Sequence, residues 1–407
     1  MRTVGIICEY NPFHMGHKRQ IDTLRTMGYD CVVCVMSGNF TQRGELAMFD
    51  KYTRAQSAIL GGADLVLELP FPYSSLSAEG FATAGVHILS SLGIKDISFG
   101  SECANKQLLC AAADAILSQE FIQTYTTAQK NGAKGSARVF FESLSQVMGQ
   151  DVALLSNDIL AISYIAAIKR LECDMNIIPI KREGLAYNDK KLIDGQLPSA
   201  SAIRQALKSG ERTDDSAIAS AIPENALSVL KNAIDVGLAP ITAKNIDREL
   251  LSFFKVMTPD EIVARAITRS DGGAYVGEDG CGICERLCNS AKEALDFDEF
   301  ISNAYNAKYT DARINRVALF ALFGVSDIKA RSLPHHTTLL AASKTGRSLL
   351  SKLRKSSEYN IVTKPADAPD SIQTRISHAA DELYVSAMPK RQKNDYFIKC
   401  KPYMADK

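Results

Sequence analysis

The N-terminal stretch from Thr3 to His17 constrains the fold of this chain more than any other. It opens with an apolar run typical of a buried strand, which Asn11-Pro12 ends, and a helical pattern follows. His14 and His17 lie at this junction. The backbone N–H groups and the dipole of a helix that begins there both favour an anion. We therefore predict a phosphate site in which both imidazoles donate hydrogen bonds, and in which either can be protonated near neutral pH.

Two histidines three positions apart also occur by chance on helix surfaces. The chain contains only six His in 407 residues, and two of them fall at this strand–helix junction. That placement favours a nucleotide-binding interpretation over a chance pair.

Strand-like and helix-like segments alternate along the first 180 residues. Strands are predicted at residues 31–36, 64–69, 96–99 and 175–180, with helices at 51–60 and 78–92. Such alternation is typical of a parallel sheet covered by helices. A polar loop with two glycines, residues 37–45, follows the second strand, where doubly wound sheets place their ligand crevice. The prediction is an α/β fold whose N-terminal part is a doubly wound parallel sheet.

Helical patterns dominate after residue 240. We predict a first domain over residues 1–240 and a mainly α-helical C-terminal domain over residues 241–407. Residues 327–407 contain 15 Lys+Arg and 8 Asp+Glu. A run of charge is usually a solvated face, but basic residues at helical spacing could also follow a phosphate backbone. These residues are Lys344, Arg347, Lys352, Arg354 and Lys355, together with Arg313 and Arg316. The last two could instead serve the nucleotide site.

The composition is that of an ordinary globular protein, with 46% hydrophobic and 23% charged residues. A net charge of +1 means that any nucleic acid must bind to a local patch. The ten Cys lie among aliphatic neighbours, as expected in a reducing compartment. With no apolar run of about 18 residues and no signal peptide, we expect a cytoplasmic protein that does not span a membrane. No protein partner is predicted.

Cys281, Cys284 and Cys288 raise the question of a zinc or iron–sulfur site. Three Cys with no His at ligand spacing favour free thiols instead. His335-His336 is interpreted as a surface pair.

Seven sequence blocks form a specific set between residue 3 and about residue 325. They are residues 5–17, 36–45, 62–70, 99–102, 156–160, 181–184 and 309–314. This set resembles the bacterial tRNA(Met) cytidine acetate ligases, which belong to the HIGH-type nucleotidyltransferase superfamily. His14-Met15-Gly16-His17 resembles the signature motif of that superfamily. The resemblance implies an enzyme that activates acetate with ATP to acetyl-adenylate. It then acetylates N4 of the wobble cytidine of elongator tRNA(Met), giving N4-acetylcytidine.

The resemblance also implies a set of functional residues. His14 and His17 would be catalytic, Mg²⁺ would accompany the triphosphate, and the basic C-terminal region would support the tRNA. The implied ATP contacts are Ile7, Cys8, Glu9, Tyr10, Asn11, Pro12, Phe13, His14, Met15, Gly16, His17, Lys18, Arg19, Gln20, Gly100, Asn157 and Arg182. On spacing alone, Asn157 is interpreted as a helix cap. Arg182 and Arg204 are predicted at the same sheet edge, where either could reach the triphosphate.

The chain departs from the family pattern at three places, and two other functions stay open. Met15 replaces a usual Asn, Gln20 replaces a frequent His, and residues 333–346 differ from a usual block. One alternative is a nucleotidyltransferase that adenylates a small phosphorylated cofactor precursor. The other is a nucleotide-sensing RNA-binding protein without turnover.

Overall fold

An eight-stranded sheet lies at the centre of the computed structural model, which describes residues 1–130, 136–151, 154–182, 199–266, 280–306, 308–326 and 332–406. The strands are β1 (Thr3–Cys8), β2 (Cys31–Ser37), β3 (Leu65–Leu69), β4 (Asp96–Ser101), β5 (Asn176–Lys181), β6 (His336–Ala342), β7 (Asn360–Val362) and β8 (Tyr403–Met404). Their order is β5-β4-β1-β2-β3-β6-β7, and β8 pairs with β6.

Helices cover both faces of this sheet, and further helices pack on one another beside it. They are α1 (Met15–Thr26), α2 (Lys51–Leu60), α3 (Ala78–Ser91), α4 (Lys106–Leu117), α5 (Gln119–Lys130), α6 (Ser136–Met148), α7 (Ser156–Arg170), α8 (Ala200–Lys208), α9 (Ser216–Ala221), α10 (Glu224–Asp235), α11 (Asp247–Val256), α12 (Pro259–Arg265), α13 (Gly280–Glu293), α14 (Phe297–Ala304), α15 (Asp311–Phe323), α16 (Lys344–Ser356), α17 (Ile372–Ser386) and α18 (Tyr396–Lys399). Short 3₁₀ turns occur at Tyr73–Ser75, Ala243–Ile246 and Pro365–Asp367. None of the helices in the described ranges is long and apolar enough to cross a membrane.

The five N-terminal strands are all parallel, which confirms the predicted α/β class. Every residue of β2 and β3 is buried, because helices pack on both faces. Successive side chains of β2 alternate between two cores, with Val33 and Val35 on one face and Val32 and Cys34 on the other. The chain turns from one side of β1 to the other between β3 and β4. A crevice therefore opens at the carboxyl ends of β1 and β4.

The C-terminal region adds three strands that the sequence analysis did not predict. β6 runs antiparallel to β3, with Leu65 opposite Ala342, and all seven of its residues are buried. His336 lies in this strand, so its interpretation as a surface residue was wrong, whereas His335 is exposed. The division at residue 240 stays a prediction, but residues 336–404 contribute strands to the N-terminal sheet.

A buried ion cluster fastens α17 to the N-terminal half. Lys51 Nζ lies 2.8 Å from Glu68 Oε1 and 2.7 Å from Asp381 Oδ2. Asn39 Nδ2 donates to the other oxygen of Asp381 at 2.8 Å. Burial raises the pKa of Asp381 to about 6, against the opposing effect of Lys51. Because Asn39 begins the loop after β2, this cluster connects the C-terminal region to the crevice.

Replacing Lys51 with Met should leave two carboxylates buried without their cation. We expect the free energy of unfolding to fall by about 3–5 kcal/mol, measured by urea denaturation. Lys106→Met is the matched control, since Lys106 is the exposed first residue of α4, and its effect should stay within about 0.5 kcal/mol. Equal effects of the two substitutions would show that the cluster contributes little.

Candidate active site

The two histidines cap the N-terminus of α1. His14 is the N-cap residue, and its Nδ1 accepts the backbone N–H of Gly16 at 3.0 Å. His17 Nδ1 accepts the backbone N–H of His14 at 3.3 Å, so the two side chains satisfy each end of a reciprocal capping pair. A neutral imidazole whose Nδ1 accepts must carry its proton on Nε2. Both rings, 3.8 Å apart between centroids, therefore have an Nε2–H available to a ligand.

Gly16 is required by the close packing of this turn. A Cβ atom on Gly16 would lie 2.8 Å from Cε1 of His14, a distance that side chains do not tolerate. Any larger residue would displace the imidazole from its capping position.

Both imidazoles are held neutral, which corrects the expectation that either is protonated near neutral pH. Burial, followed by the charges of Arg182 and Arg204, lowers the pKa of His14 to about 3. Burial, His14 and Arg182 lower the pKa of His17 as well. The pair therefore offers a ligand neutral N–H donors, and the positive charge beside it comes from Arg182 and Arg204.

A cavity of about 350 Å³ opens beside these rings. Eleven of the predicted ATP-contacting residues line it: Ile7, Cys8, Glu9, Tyr10, Asn11, His14, His17, Gln20, Gly100, Asn157 and Arg182. They come from β1, α1 and the segment between them, and from β4, α7 and the end of β5, which lie much later in the sequence. A volume of this size is within the range of small-ligand sites.

The other six predicted ATP residues do not line the cavity. They are Pro12, Phe13, Met15, Gly16, Lys18 and Arg19. Phe13 is fully buried, 5.0 Å from the ring of Tyr10, and a Cβ on Gly61 would collide with it. Lys18 is paired with Asp22 at 2.8 Å on the surface. Phe13 thus supports the turn from inside the core, while Lys18 faces solvent.

Asn157 is not the cap of its helix, contrary to the interpretation from spacing. The N-cap of α7 is Leu155, and Asp158 accepts its backbone N–H at 3.2 Å. The side-chain amide of Asn157 instead donates through Nδ2 to Glu102, while the backbone N–H of Asp158 donates to the second oxygen of Glu102 at 3.1 Å. This leaves Asn157 on the wall of the cavity.

Arg182 lies across Gly100 at the same corner. A Cβ on Gly100 would approach Cγ of Arg182 to 3.1 Å, so the glycine gives the arginine stem room to pack against β4. Nε of Arg182 lies 4.0 Å from Oε1 of Glu102. Arg204, on α8, donates to the carbonyl of Asn11 at 2.8 Å and also lines the cavity. Both arginines lie at the predicted sheet edge.

The opposite wall comes from the loop after β2 and from helix α3. Thr41, Gln42, Arg43 and Glu45 line it, and Gln42 donates its backbone N–H to Oε1 of Glu9 at 2.8 Å. The sequence analysis expected this loop to line the crevice but selected no residue in it. It also missed Ala78 and Phe81 of α3 and Leu160 and Tyr164 of α7. Leu160 and Tyr164 lie on the same face of α7 as Asn157, and this helical spacing could have predicted them from the sequence.

The family comparison decides between the open interpretations of this site. A family model described as HIGH Nucleotidyl Transferase matches residues 1–397. The tRNA(Met) cytidine acetate ligase of Acetivibrio thermocellus is 33% identical over 384 residues, which cover 90% of this chain and 89% of the relative. That of Clostridium perfringens is 30% identical over 426 residues, covering 98% of each. The chain belongs to the HIGH nucleotidyltransferases, in their tRNA(Met) cytidine acetate ligase branch.

Solved structures of the family superpose on the whole molecule. TmcAL of Thermotoga maritima without ligand has a TM-score of 0.87 at 26% identity, covering 99% of both chains. The same protein bound to α-thio ATP has a TM-score of 0.84 at 26% identity, with 99% coverage of both chains. The unpredicted C-terminal strands lie within this matched length.

The predicted tRNA-binding residues lie on two helices. Lys344, Lys352, Arg354 and Lys355 are exposed on α16, and Arg347 is half-buried there. Arg313 and Arg316 belong to α15, whose backbone packs on the loop after β2: a Cβ on Gly44 would lie 2.6 Å from the backbone nitrogen of Arg316. The two α15 arginines therefore lie beside a cavity wall.

The cysteine cluster shows no metal-site geometry where it is described. Cys284 and Cys288 are buried free thiols on α13, and Cys288 Sγ donates to the carbonyl of Met257 at 3.3 Å. The side chain of Cys281 lies outside the described residues. Within the described ranges, no group of three or more His, Cys, Asp or Glu residues is arranged to hold a metal.

The neutrality of His14 should be visible in the pH dependence of stability. Between its folded pKa of about 3 and its ordinary value of 6.5, the unfolded chain binds a proton that the folded chain does not. Stability therefore falls with falling pH in this window. From pH 7 to pH 5, His14 should cost the ligand-free protein about 2 kcal/mol.

His14→Gln should remove this share of the pH dependence, because Gln does not titrate and its Oε1 can still accept the capping N–H. The measurement is urea denaturation of both proteins at pH 7 and pH 5. If both lose the same stability between the two pH values, the assignment of a buried, neutral His14 is wrong.

Proposed function

We propose that this chain is an ATP-dependent acetate ligase. It forms acetyl-adenylate from acetate and ATP, and then acetylates N4 of the wobble cytidine of elongator tRNA(Met), giving N4-acetylcytidine. The supporting observation is the pair of Nε2–H donors of His14 and His17, close to the charges of Arg182 and Arg204. The named relatives match almost the whole length of the chain.

In the first step, an acetate oxygen attacks the α-phosphorus of ATP. The bond from that phosphorus to the bridging oxygen breaks, and pyrophosphate leaves with the electron pair. Negative charge grows on the equatorial oxygens and on the departing group, so donors fixed in advance lower the barrier. His14 and His17 supply neutral donors, and Arg182 and Arg204 supply charge. The N-terminus of α1 adds its dipole at the same point.

In the second step, the N4 amine of cytidine attacks the acetyl carbonyl. The carbon–oxygen bond to AMP breaks, AMP leaves with the electron pair, and the amine loses a proton. A cytosine stacked in an anticodon loop cannot reach the mixed anhydride, so the base must turn out of the stack. The cavity wall formed by the loop after β2 and by α3 lies across β1 from the two histidines. We propose that the base enters the cavity beside this wall.

Mg²⁺ would accompany ATP as a counter-ion of the triphosphate. The described part of the chain brings no three-residue ligand cluster together, so we expect phosphate oxygens and water to supply most of its ligands. Because the proposed substrate is a tRNA, we expect the enzyme to act in the cytoplasm.

The tRNA would contact two basic surfaces. Arg313 and Arg316 lie beside the cavity wall and suit the nucleotides next to the wobble position. Lys344, Arg347, Lys352, Arg354 and Lys355 follow α16 and suit the phosphates of the anticodon stem.

Acetate-dependent exchange of pyrophosphate into ATP tests the first step without tRNA. Exchange should require acetate, and His17→Ala should slow it by a factor of about 10²–10³, because one transition-state donor is lost. His335→Ala, on an exposed histidine, is the control and should retain full exchange. A nucleotide sensor would show no exchange, and a cofactor adenylyltransferase would need a phosphorylated acceptor in place of acetate. Full exchange in a His14→Ala, His17→Ala double variant would refute the proposed roles of the histidines.

Charge reversal on α16 tests RNA docking separately from adenylation. Lys352→Glu with Lys355→Glu should weaken tRNA binding by at least about tenfold at low salt and flatten its salt dependence, leaving exchange unchanged. Lys231→Glu is the control, because Lys231 is exposed on α10, across the sheet from α16. Truncating the chain after residue 326 would not be a usable test, because it would remove β6 from the sheet. Unchanged tRNA affinity in the double variant would exclude this face.

A further inference from the structure

Glu102 fixes the orientation of the Asn157 side-chain amide from outside the cavity. One oxygen of Glu102 accepts Nδ2 of Asn157, and the other accepts the backbone N–H of Asp158 at 3.1 Å. A carboxylate offers only acceptors, so Asn157 must turn its NH₂ group towards it. Asn157 lines the cavity, whereas Glu102 does not. The oxygen Oδ1 is therefore the polar atom that Asn157 has left for a ligand, and no hydrogen bond within the described ranges occupies it.

We propose that Glu102 is a positioning residue that keeps Asn157 as a hydrogen-bond acceptor, so that the site selects a nucleoside with a donor at this point. The proposal rests on the ATP site of the proposed function, and it adds the residues that recognise the nucleoside part of ATP. Three groups of ATP supply such a donor: the exocyclic amine of adenine and the 2′- and 3′-hydroxyls of the ribose.

The same carboxylate also faces Arg182. Nε of Arg182 lies 4.0 Å from the Glu102 oxygen that accepts from Asn157, and the arginine stem packs on Gly100. Glu102 thus orients one neutral and one cationic group of the cavity. Its own side chain is about one-fifth exposed, which places it behind the wall.

Glu102→Gln should reverse the amide of Asn157. The backbone N–H of Asp158 still needs an acceptor, so the glutamine carbonyl must take that side. Its NH₂ group then faces Asn157, which has to present Oδ1 to it and turn its own NH₂ group towards the cavity. A donor would then meet the donor of the nucleotide.

The experiment is calorimetric binding of ATP and three analogues without acetate or tRNA. The analogues are purine riboside triphosphate, which lacks the amine, 2′-deoxy-ATP and 3′-deoxy-ATP. The wild type should bind at least one analogue about tenfold more weakly than ATP, and that analogue identifies the donor. In Glu102→Gln, ATP should bind about tenfold more weakly and this discrimination should disappear. Glu120→Gln, on an exposed residue of α5, should match the wild type.

A double variant separates orientation from a merely structural role. In Glu102→Gln with Asn157→Asp, the glutamine NH₂ donates to one oxygen of the aspartate, and the other oxygen faces the cavity as an acceptor. The pair keeps one negative charge, so ATP affinity and discrimination should return to within about threefold of the wild type.

Three results would overturn the inference. They are equal binding of ATP and all analogues by the wild type, unchanged discrimination in Glu102→Gln, and a double variant no better than the single one. If thermal melting shows that Glu102→Gln does not fold, the wild-type analogue series still decides. A wild type that binds no ATP would refute the proposed function itself, which is a distinguishable result.

Discussion

The crevice depends on one buried cation, Arg54. Its guanidinium, fully excluded from solvent, donates to the carbonyls of Phe49 and Ser37 at 2.8 and 3.0 Å, and also to those of Glu9 and Gly38. The carbonyls of Glu9, Ser37 and Gly38 lie where β1 and β2 end and the chain leaves the sheet, and that of Phe49 lies just before α2. Backbone acceptors buried there would otherwise lack partners, at a cost of about 1–3 kcal/mol each. Burial lowers the pKa of Arg54, yet an arginine begins so high that it stays charged.

The loop after β2 is held from the C-terminal side as well. Tyr384 donates its hydroxyl to the carbonyl of Ala47 at 2.7 Å, and Asp381 holds Asn39 as described above. Both residues belong to α17, more than 330 positions later in the chain. This wall of the cavity is thus held in place by a part of the chain that is distant in sequence. β6 pairs directly with β3 of the N-terminal sheet, and α17 contacts the loop after β2 through Asp381 and Tyr384.

The sequence predicted those features that local patterns specify. Periodicity and turn residues predict the parallel strands, the helix after His14 and the sheet edge at which Arg182 and Arg204 line the cavity. β6 was not recognised, because its first three residues, His336-Thr-Thr, look polar and leave only the short apolar run Leu339–Ala342. Arg54 and Glu102 were missed for a different reason. Each contacts backbone groups or residues that are distant in sequence, and the spacing of residues along the chain does not predict such contacts.

The protonation state of the histidines could not be predicted either, yet it explains why imidazoles occupy this corner. Two cations as close as the 3.8 Å between these rings would repel each other by about 4 kcal/mol, even at an effective dielectric constant of about 20. Neutral imidazoles avoid this repulsion because they carry no charge. The neutral form is favoured because each Nδ1 accepts a hydrogen bond from a backbone N–H. Two lysines at positions 14 and 17 would supply charge but would have to separate. The site instead combines fixed neutral donors on the two imidazoles with the charge of the neighbouring arginines.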